Sequence, residues 1–484
     1  MRAPAQIDDL CFTPAVVLRD LTRRRELSPV EIVEAYLHRI ERVDPQVNAF
    51  VTVTGEEALE HARRAERDLG KDGAEELGPL HGLPVTVKDL TSTAGVRTTF
   101  GSRHFAGNVP DTDGLIWARL KAAGAILLGK TTTPEFGEHS ITESPLTGIT
   151  NNPWDLERTV GGSSGGAGAA VAAGMGALAT GSDGGGSIRC PASFCGVVGL
   201  KPSRGRIPIW SEQPVFDDVD VVGPMTRSVA DCALMLSVVA GPHPYDPYSL
   251  LDSGTDYLAL LEDASVDRLR VAFSPDLGDP PVEPAVATTV ASAAAAFAEL
   301  GAEVETVEMV LPDPIDYAIR WWAPAIALEF EEKVTDAGLD EGASHPEMLR
   351  IRQLAAELSA IDHVRQALTE RERIHRAFAD VYADHDLLIY PTTAMVAFPH
   401  PGPEGGPLEV AGVPSRNPMW ENQRFTEAVS HAGFPAVTVP CGFTEEGLPV
   451  GLQITAGHGR DDTVLRAAAA FEAARPWADR RPSL

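Results

Sequence analysis

The sequence predicts an α/β fold in which a mixed central β-sheet is covered by helices on both faces. Two observations carry that expectation. Short apolar runs bounded by turn residues, "LPVTVKDL", "AILLGKT", "RVAFSP", "DLLIYPT", "AVTVPCG" and "VGLQIT", read as strands, and stretches of helical period lie between most of them. With 484 residues, 44% of them apolar and 23% charged, the chain can bury a core large enough for such a sheet. Alternation of the two periods is the pattern of a sheet with helices packed against it.

The elements follow in order. In "LSPVEIVEAYLHRIERV", Ser28 stands as N-cap, Pro29 opens the helix and Glu31 completes a capping box, while Val30, Ile32, Val33, Tyr36, Leu37 and Ile40 form an apolar stripe. In "LPVTVKDL", Val85 and Val87 alternate with Thr86 and Lys88. Lys88 therefore sits at the C-terminal end of a strand, where ligands of α/β sheets gather. "DGLIWARLKAAG" is helical, "AGAAVAAGMGALA" has the alanine content of a tightly packed helix, and a last helix is expected from about Asp461 and Asp462 to Pro476. Phe398 to Ser415, "FPHPGPEGGPLEVAGVPS", is the most loop-like stretch and reads either as a lid or as a surface excursion.

No internal repeat or low-complexity linker divides the chain, so a single domain over 1–484 is expected. Its parts would be a helical segment at about 1–70, a catalytic core at about 71–235, a variable helical region lining the substrate pocket at about 236–415, and a return of sheet and helix at about 416–484.

Acidic residues outnumber basic ones 69 to 40, a formal charge of −29, and the resulting field repels nucleic-acid phosphates and anionic membranes. The acidity reads as a solubility device on exposed helices. Five widely spaced cysteines without a CxxC pair argue against a disulfide framework and a zinc site, and fit a reducing compartment. The N-terminus lacks the apolar core of a signal peptide, and the long Gly/Ala run from Gly165 to Gly181 lacks the bulky residues of a membrane span. A cytoplasmic protein is expected.

The stretch "GGSSGGAGAAVAAGMGALATGSDGGGSIRCPASFCG", Gly161 to Gly196, admits three readings. A linker is disfavoured by its alanine-rich middle and apolar flanks. A P-loop is disfavoured because no lysine follows the glycines until Lys201, and the GxGxxA match at Gly174, Gly176 and Ala179 has no strand before it. Serine chemistry remains. A nucleophilic serine needs a base and backbone donors for an oxyanion, and "SDGGGS" offers consecutive N–H groups at Gly184, Gly185, Gly186 and Ser187 that glycine backbones can turn toward one point.

With its neighbours, this stretch resembles the amidase signature family, serine hydrolases with a Ser–cis-Ser–Lys triad. "GLPVTVKDL", "AGAILLGKTTTPEFG", "NNPWDLERTVGGSSGG", "VVGPMTRSVADCALML" and "GFPAVTVPCGFTEEGLPVGLQI" extend the resemblance, in family order, over nearly the whole chain. The resemblance implies Ser187 as the acyl-forming nucleophile, Ser163 as the bridging serine after a cis Gly162–Ser163 peptide, and Lys88 as the base. It implies an oxyanion hole from the Gly184, Gly185, Gly186 and Ser187 amides, with Ser164 a neighbour and Asp183 and Arg189 holding the loop. It implies no cofactor and no metal. An unperturbed lysine is protonated at neutral pH, so burial must lower the pKa of Lys88 if it is to take a proton through Ser163. Cys190 and Cys195 read as packed cysteines, and His104, His139 and His431 form no triad by spacing.

Departures from the family narrow the expectation. Gly184 stands where many members have threonine, Cys190 stands where the glutamine-hydrolysing amidotransferases typically have glutamine, and Pro208 to Val222 lacks their usual "SLDQIGP". A stand-alone amidohydrolase for aryl amides, anilides or other apolar amides is therefore expected, with carbamates (urethanes) and esters as further substrates. The rivals are a glutamine-hydrolysing amidotransferase component that channels ammonia and a catalytically silent binding protein. Ile209, Trp210, Phe216, Trp321, Trp322, Met395 and Phe398 are the candidate pocket, or equally core. The partner would be a small-molecule amide or carbamate, and the chain a monomer or homodimer.

Overall fold

The computed structural model describes residues 9–71, 76–210, 218–251, 254–402, 406 and 409–484. Its centre is an eleven-stranded sheet. In chain order the strands are β1 (Phe50–Val53), β2 (Pro84–Lys88), β3 (Ile126–Thr131), β4 (Leu178–Asp183), β5 (Val198–Lys201), β6 (Val221–Thr226), β7 (Arg270–Phe273), β8 (Glu303–Thr306), β9 (Leu387–Pro391), β10 (Ala436–Phe443) and β11 (Pro449–Thr455). Across the sheet they run β1-β3-β2-β4-β6-β5-β10-β11-β9-β7-β8. β2 is parallel to both β3 and β4, β7 is parallel to β8 and β9, and the remaining pairs are antiparallel, so the sheet is mixed. Every residue of β2, β3, β6, β9 and β11 is buried. Because side chains alternate between the two faces of a strand, unbroken burial means that both faces are covered.

All six apolar runs expected as strands lie in this sheet. The expected helices form at Pro29–Val47, Leu115–Ala122 and Asp461–Ala474. The first carries its capping box: Ser28 Oγ accepts from the Val30 N–H at 3.0 Å, and the Glu31 carboxylate accepts from the Ser28 N–H at 3.0 Å. The alanine-rich stretch is a correction. Its helix spans only Gly165–Ala172, Gly174 follows with φ +71°, and Leu178–Asp183 is β4. Glycine at positive φ just beyond a helix end is a stop signal, and small residues suit a strand buried on both faces as well as they suit a helix.

The described part of Phe398–Ser415 reads as a surface excursion. Thr159 N–H donates to the Phe398 carbonyl at 2.9 Å, His400 N–H donates to the Glu157 carbonyl at 3.0 Å, and Glu409–Val410 pairs with Val413–Pro414. Among the described residues no helix is long and apolar enough to cross a membrane.

Candidate active site

β2 and β4 are adjacent and parallel, with Val85 opposite Leu178 and Thr86 opposite Ala179. Their carboxyl ends therefore open on the same side, and Lys88 ends one while Gly184–Ser187 follows the other. The Lys88 side chain is 1% exposed. Its Nζ lies 2.7 Å from Ser163 Oγ and 2.8 Å from Ser182 Oγ. Burial lowers its pKa to about 7, against the opposing pull of Asp220, Asp183 and Glu138. A large fraction of such a lysine is neutral near pH 7 and able to accept a proton from the hydroxyl it touches.

Ser163 follows a cis Gly162–Ser163 peptide. The next residue, Ser164, is the N-cap position of helix Gly165–Ala172; its N–H donates to the Ser187 carbonyl at 3.0 Å and its Oγ to the Ser182 carbonyl at 3.2 Å. These bonds tie the Ser163–Ser164 segment to both ends of the glycine loop. Ser163 and Ser187 line one cavity together with Gly184 and Gly185. Gly186 has φ +139°, and a Cβ there would run into Thr426 Oγ, so both conformation and space require glycine. Among the described residues no protein acceptor is bonded to the N–H groups of Gly184, Gly185, Gly186 or Ser187.

Asp183 and Arg189 brace the loop from beneath. Both are fully buried, Arg189 Nε and Nη2 donate to the two Asp183 oxygens at 2.9 and 2.7 Å, and the Ile188 N–H donates to the same carboxylate at 3.2 Å. Burial alone would raise the Asp183 pKa, but the Arg189 guanidinium holds it below the usual carboxylate range. Arg189 Nη1 and Nη2 also donate to Gln453 and Ser430, each at 2.6 Å. Burial pushes the Cys190 thiol up to about 12 and raises that of Cys195, so neither is a thiolate at neutral pH.

The three histidines are scattered. His104 contacts Ser344 at 3.0 Å, and His431 contacts Glu427 at 3.1 Å. His139 lines the cavity, where burial and His345 depress its pKa to about 3.

The aromatic pocket set needs correction. Among the described candidates only Trp322 lines the cavity, alongside Leu90, Phe136, Ile326, Met419 and Trp420. Ile209 and Met395 are packed in the core, Phe398 meets Phe194 edge-on at 5.9 Å, and Trp210 stacks on His243 at 5.8 Å. Trp321 sits 5.0 Å from His431 and 6.4 Å from Tyr317. Successive helical residues point about 100° apart, so although both rings reach His431, it is Trp322, four residues before Ile326 on helix Pro314–Phe330, that joins Ile326 at the cavity. Phe216 lies outside the described residues.

Sequence reasoning missed the segment 423–427, which touches three parts of the site. Gln423 Nε2 donates to the carbonyl of Gly162 at 3.2 Å, Thr426 Oγ donates to the Gly185 carbonyl at 2.6 Å, and the Glu427 carboxylate accepts from Trp322 Nε1 at 3.1 Å. It also missed Ser182, the second hydroxyl on Lys88. The local signal was a polar cluster, "NQRFTE", within the expected return of sheet and helix at about 416–484.

Comparison with known proteins agrees with this architecture. A family model described as Amidase matches residues 31–465, and the chain belongs to the amidase signature family, hydrolases acting on C–N bonds. It is similar to an acylamidase of Rhodococcus erythropolis, 42% identical over 460 residues that cover 94% of each protein. It is also similar to a glutamyl-tRNA(Gln) amidotransferase component of Moorella thermoacetica, 39% identical over 98% of this chain and 99% of the relative. Among solved structures, a bacterial aryl acylamidase superposes with a TM-score of 0.90 at 30% identity, covering 96% of this chain and 97% of that one. A 6-aminohexanoate cyclic dimer hydrolase superposes with a TM-score of 0.85 at 32% identity, covering 98% and 99%.

Proposed function

We propose that this chain is a stand-alone, cofactor-free amidohydrolase for apolar and aryl amides, acting through an acyl-Ser187 intermediate. The observation that carries the reading is the buried Lys88 Nζ, 2.7 Å from Ser163 Oγ at a cavity that Ser187 also lines. Ser187 Oγ attacks the substrate carbonyl and passes its proton to Ser163, whose own proton goes to neutral Lys88. The oxyanion is received by the Gly184, Gly185, Gly186 and Ser187 amides. The relay then runs backward, protonating the departing nitrogen, and water cleaves the ester. Ser182, on the other side of Nζ, gives the lysine a fixed second partner. Leu90, Phe136, Trp322, Ile326, Met419 and Trp420 give the cavity apolar surface for an apolar or aryl group, beside the polar Glu138, His139, Asp220 and Gln423, and the same acyl-serine chemistry extends to carbamates and esters.

The test is a panel of anilides, aliphatic amides, aryl carbamates, p-nitrophenyl esters and glutamine offered to the purified chain, with Ser187→Ala as blank. Anilide turnover that vanishes in the blank is expected. Near-full activity in Ser187→Ala sinks the assignment, and hydrolysis of glutamine alone favours the amidotransferase reading that the Moorella relative suggests.

A further inference from the structure

The glycine at position 184 and the tryptophan at position 322 occupy one another's space. A Cβ built on Gly184 would stand 2.7 Å from Trp322 Cη2 and 3.1 Å from Cζ2, closer than real Cβ contacts come, and closer still to an Asp220 carboxylate oxygen. The indole cannot swing away freely. Its Nε1–H donates to both oxygens of Glu427 at 3.1 Å, and Glu427 is itself held by His431 Nε2 at 3.1 Å. Nε1, Cζ2 and Cη2 lie along one edge of the ring, so that edge is consumed by Glu427 and by the oxyanion loop. What Trp322 can offer the cavity is its face or its opposite edge. Phe136, Ile326, Met419 and Trp420, which also line the cavity, belong to one buried cluster against which Trp322 itself packs.

We infer that Trp322 is a specificity-determining residue: with Gly184 making room for it beside the oxyanion loop, it selects a flat, aromatic group next to the reacting carbonyl. An aromatic substituent stacked on a fixed indole gains more than its buried area alone, whereas an alkyl chain of equal carbon number gains only the area and loses rotamer freedom. Glu427 acts through Trp322 as a positioning residue. The inference rests on Ser187 being the nucleophile proposed above, because Trp322 lines the same cavity as that serine.

Phenylboronic acid and n-hexylboronic acid, which add a serine oxygen reversibly to boron and carry equal numbers of carbons, separate this inference from the substrate reading. Their dissociation constants would be measured by calorimetry on the wild-type chain, Trp322→Ala, Trp322→Phe, Gly184→Ala and the Gly184→Ala/Trp322→Ala double variant. The wild-type chain should prefer the phenyl compound, Trp322→Ala should lower that preference about five- to tenfold, and Trp322→Phe should lower it about twofold. Gly184→Ala should erode the same preference and change it no further in the Trp322→Ala background, since its effect on the preference runs through the indole while its contact with Asp220 bears on both boronates alike. A wild-type ratio near one, an unchanged ratio in Trp322→Ala, equal weakening of both boronates, or additive losses in the double variant would each overturn the inference. Boronates are bound without being turned over. A substrate panel that favours aliphatic amides would therefore count against the proposed substrate class while the boronate ratio still decides the role of Trp322.

Discussion

Lys88 and Lys201 end two strands of the same sheet, β2 and β5. Both are essentially fully buried, and burial lowers the pKa of each to about 7. Their surroundings differ in one respect that matters. Lys88 Nζ meets the hydroxyls of Ser163 and Ser182, whereas Lys201 Nζ donates to the carbonyl of Pro202 at 3.2 Å. A hydroxyl can hand over a proton and a carbonyl cannot. A depressed lysine pKa therefore reports burial, and it is the partner that turns burial into chemistry.

The largest expected effect breaks the symmetry between the two. Lys88→Met should lower kcat by about 10³–10⁴-fold or more, as loss of a general base does. Lys201→Met should leave kcat within about fivefold, because it removes no proton acceptor from the relay. Comparable losses in both variants, measured on one anilide at saturation, would mean that burial rather than the hydroxyl contact is what matters.

A smaller effect concerns stability. Unfolded lysine holds its proton up to a pH of about 10.4, while folded Lys201 releases it near 7. Between these values the unfolded chain binds more protons, so stability climbs with pH; below about 7 the penalty is at its full size. Lys201→Met should therefore unfold at higher denaturant than the parent at pH 7, by on the order of 2–4 kcal/mol, with the gap closing as pH approaches 10. Chemical denaturation at the two pH values checks the sign, and a gap that widens with pH would contradict it.

Six of the sheet's eleven strands were legible in the sequence because their apolar runs and bounding turns are local signals, while β1, β4, β5, β6 and β8 were not read. The sequence carried Lys88, Ser163 and Ser187 through a strand end and two glycine-bounded serines whose spacing matches a family. β4 escaped because "LATGSD" has little β-branched bulk, so it looked like a continuation of the alanine-rich helix. Ser182 escaped for the same reason, since its place beside Lys88 follows only from β4 pairing with β2. The aromatic and apolar pocket candidates could not be sorted by sequence, because hydrophobicity reports burial and not which cavity a side chain borders. Gln423 and Thr426 reach loops more than two hundred residues earlier and Glu427 reaches Trp322, 105 residues earlier, contacts that leave no period in the chain.

The proton relay from Ser187 to Lys88 is tested most directly by the rate and position of labelling with a fluorophosphonate, followed against pH and mapped by mass spectrometry. One label is expected, on Ser187, formed at a rate that rises about tenfold per pH unit below about 7 and levels above it as Lys88 loses its proton. Labelling should collapse in Lys88→Met and persist in Lys201→Met. A label on Ser163, Ser182 or another serine, or undiminished labelling of Lys88→Met, would contradict the relay.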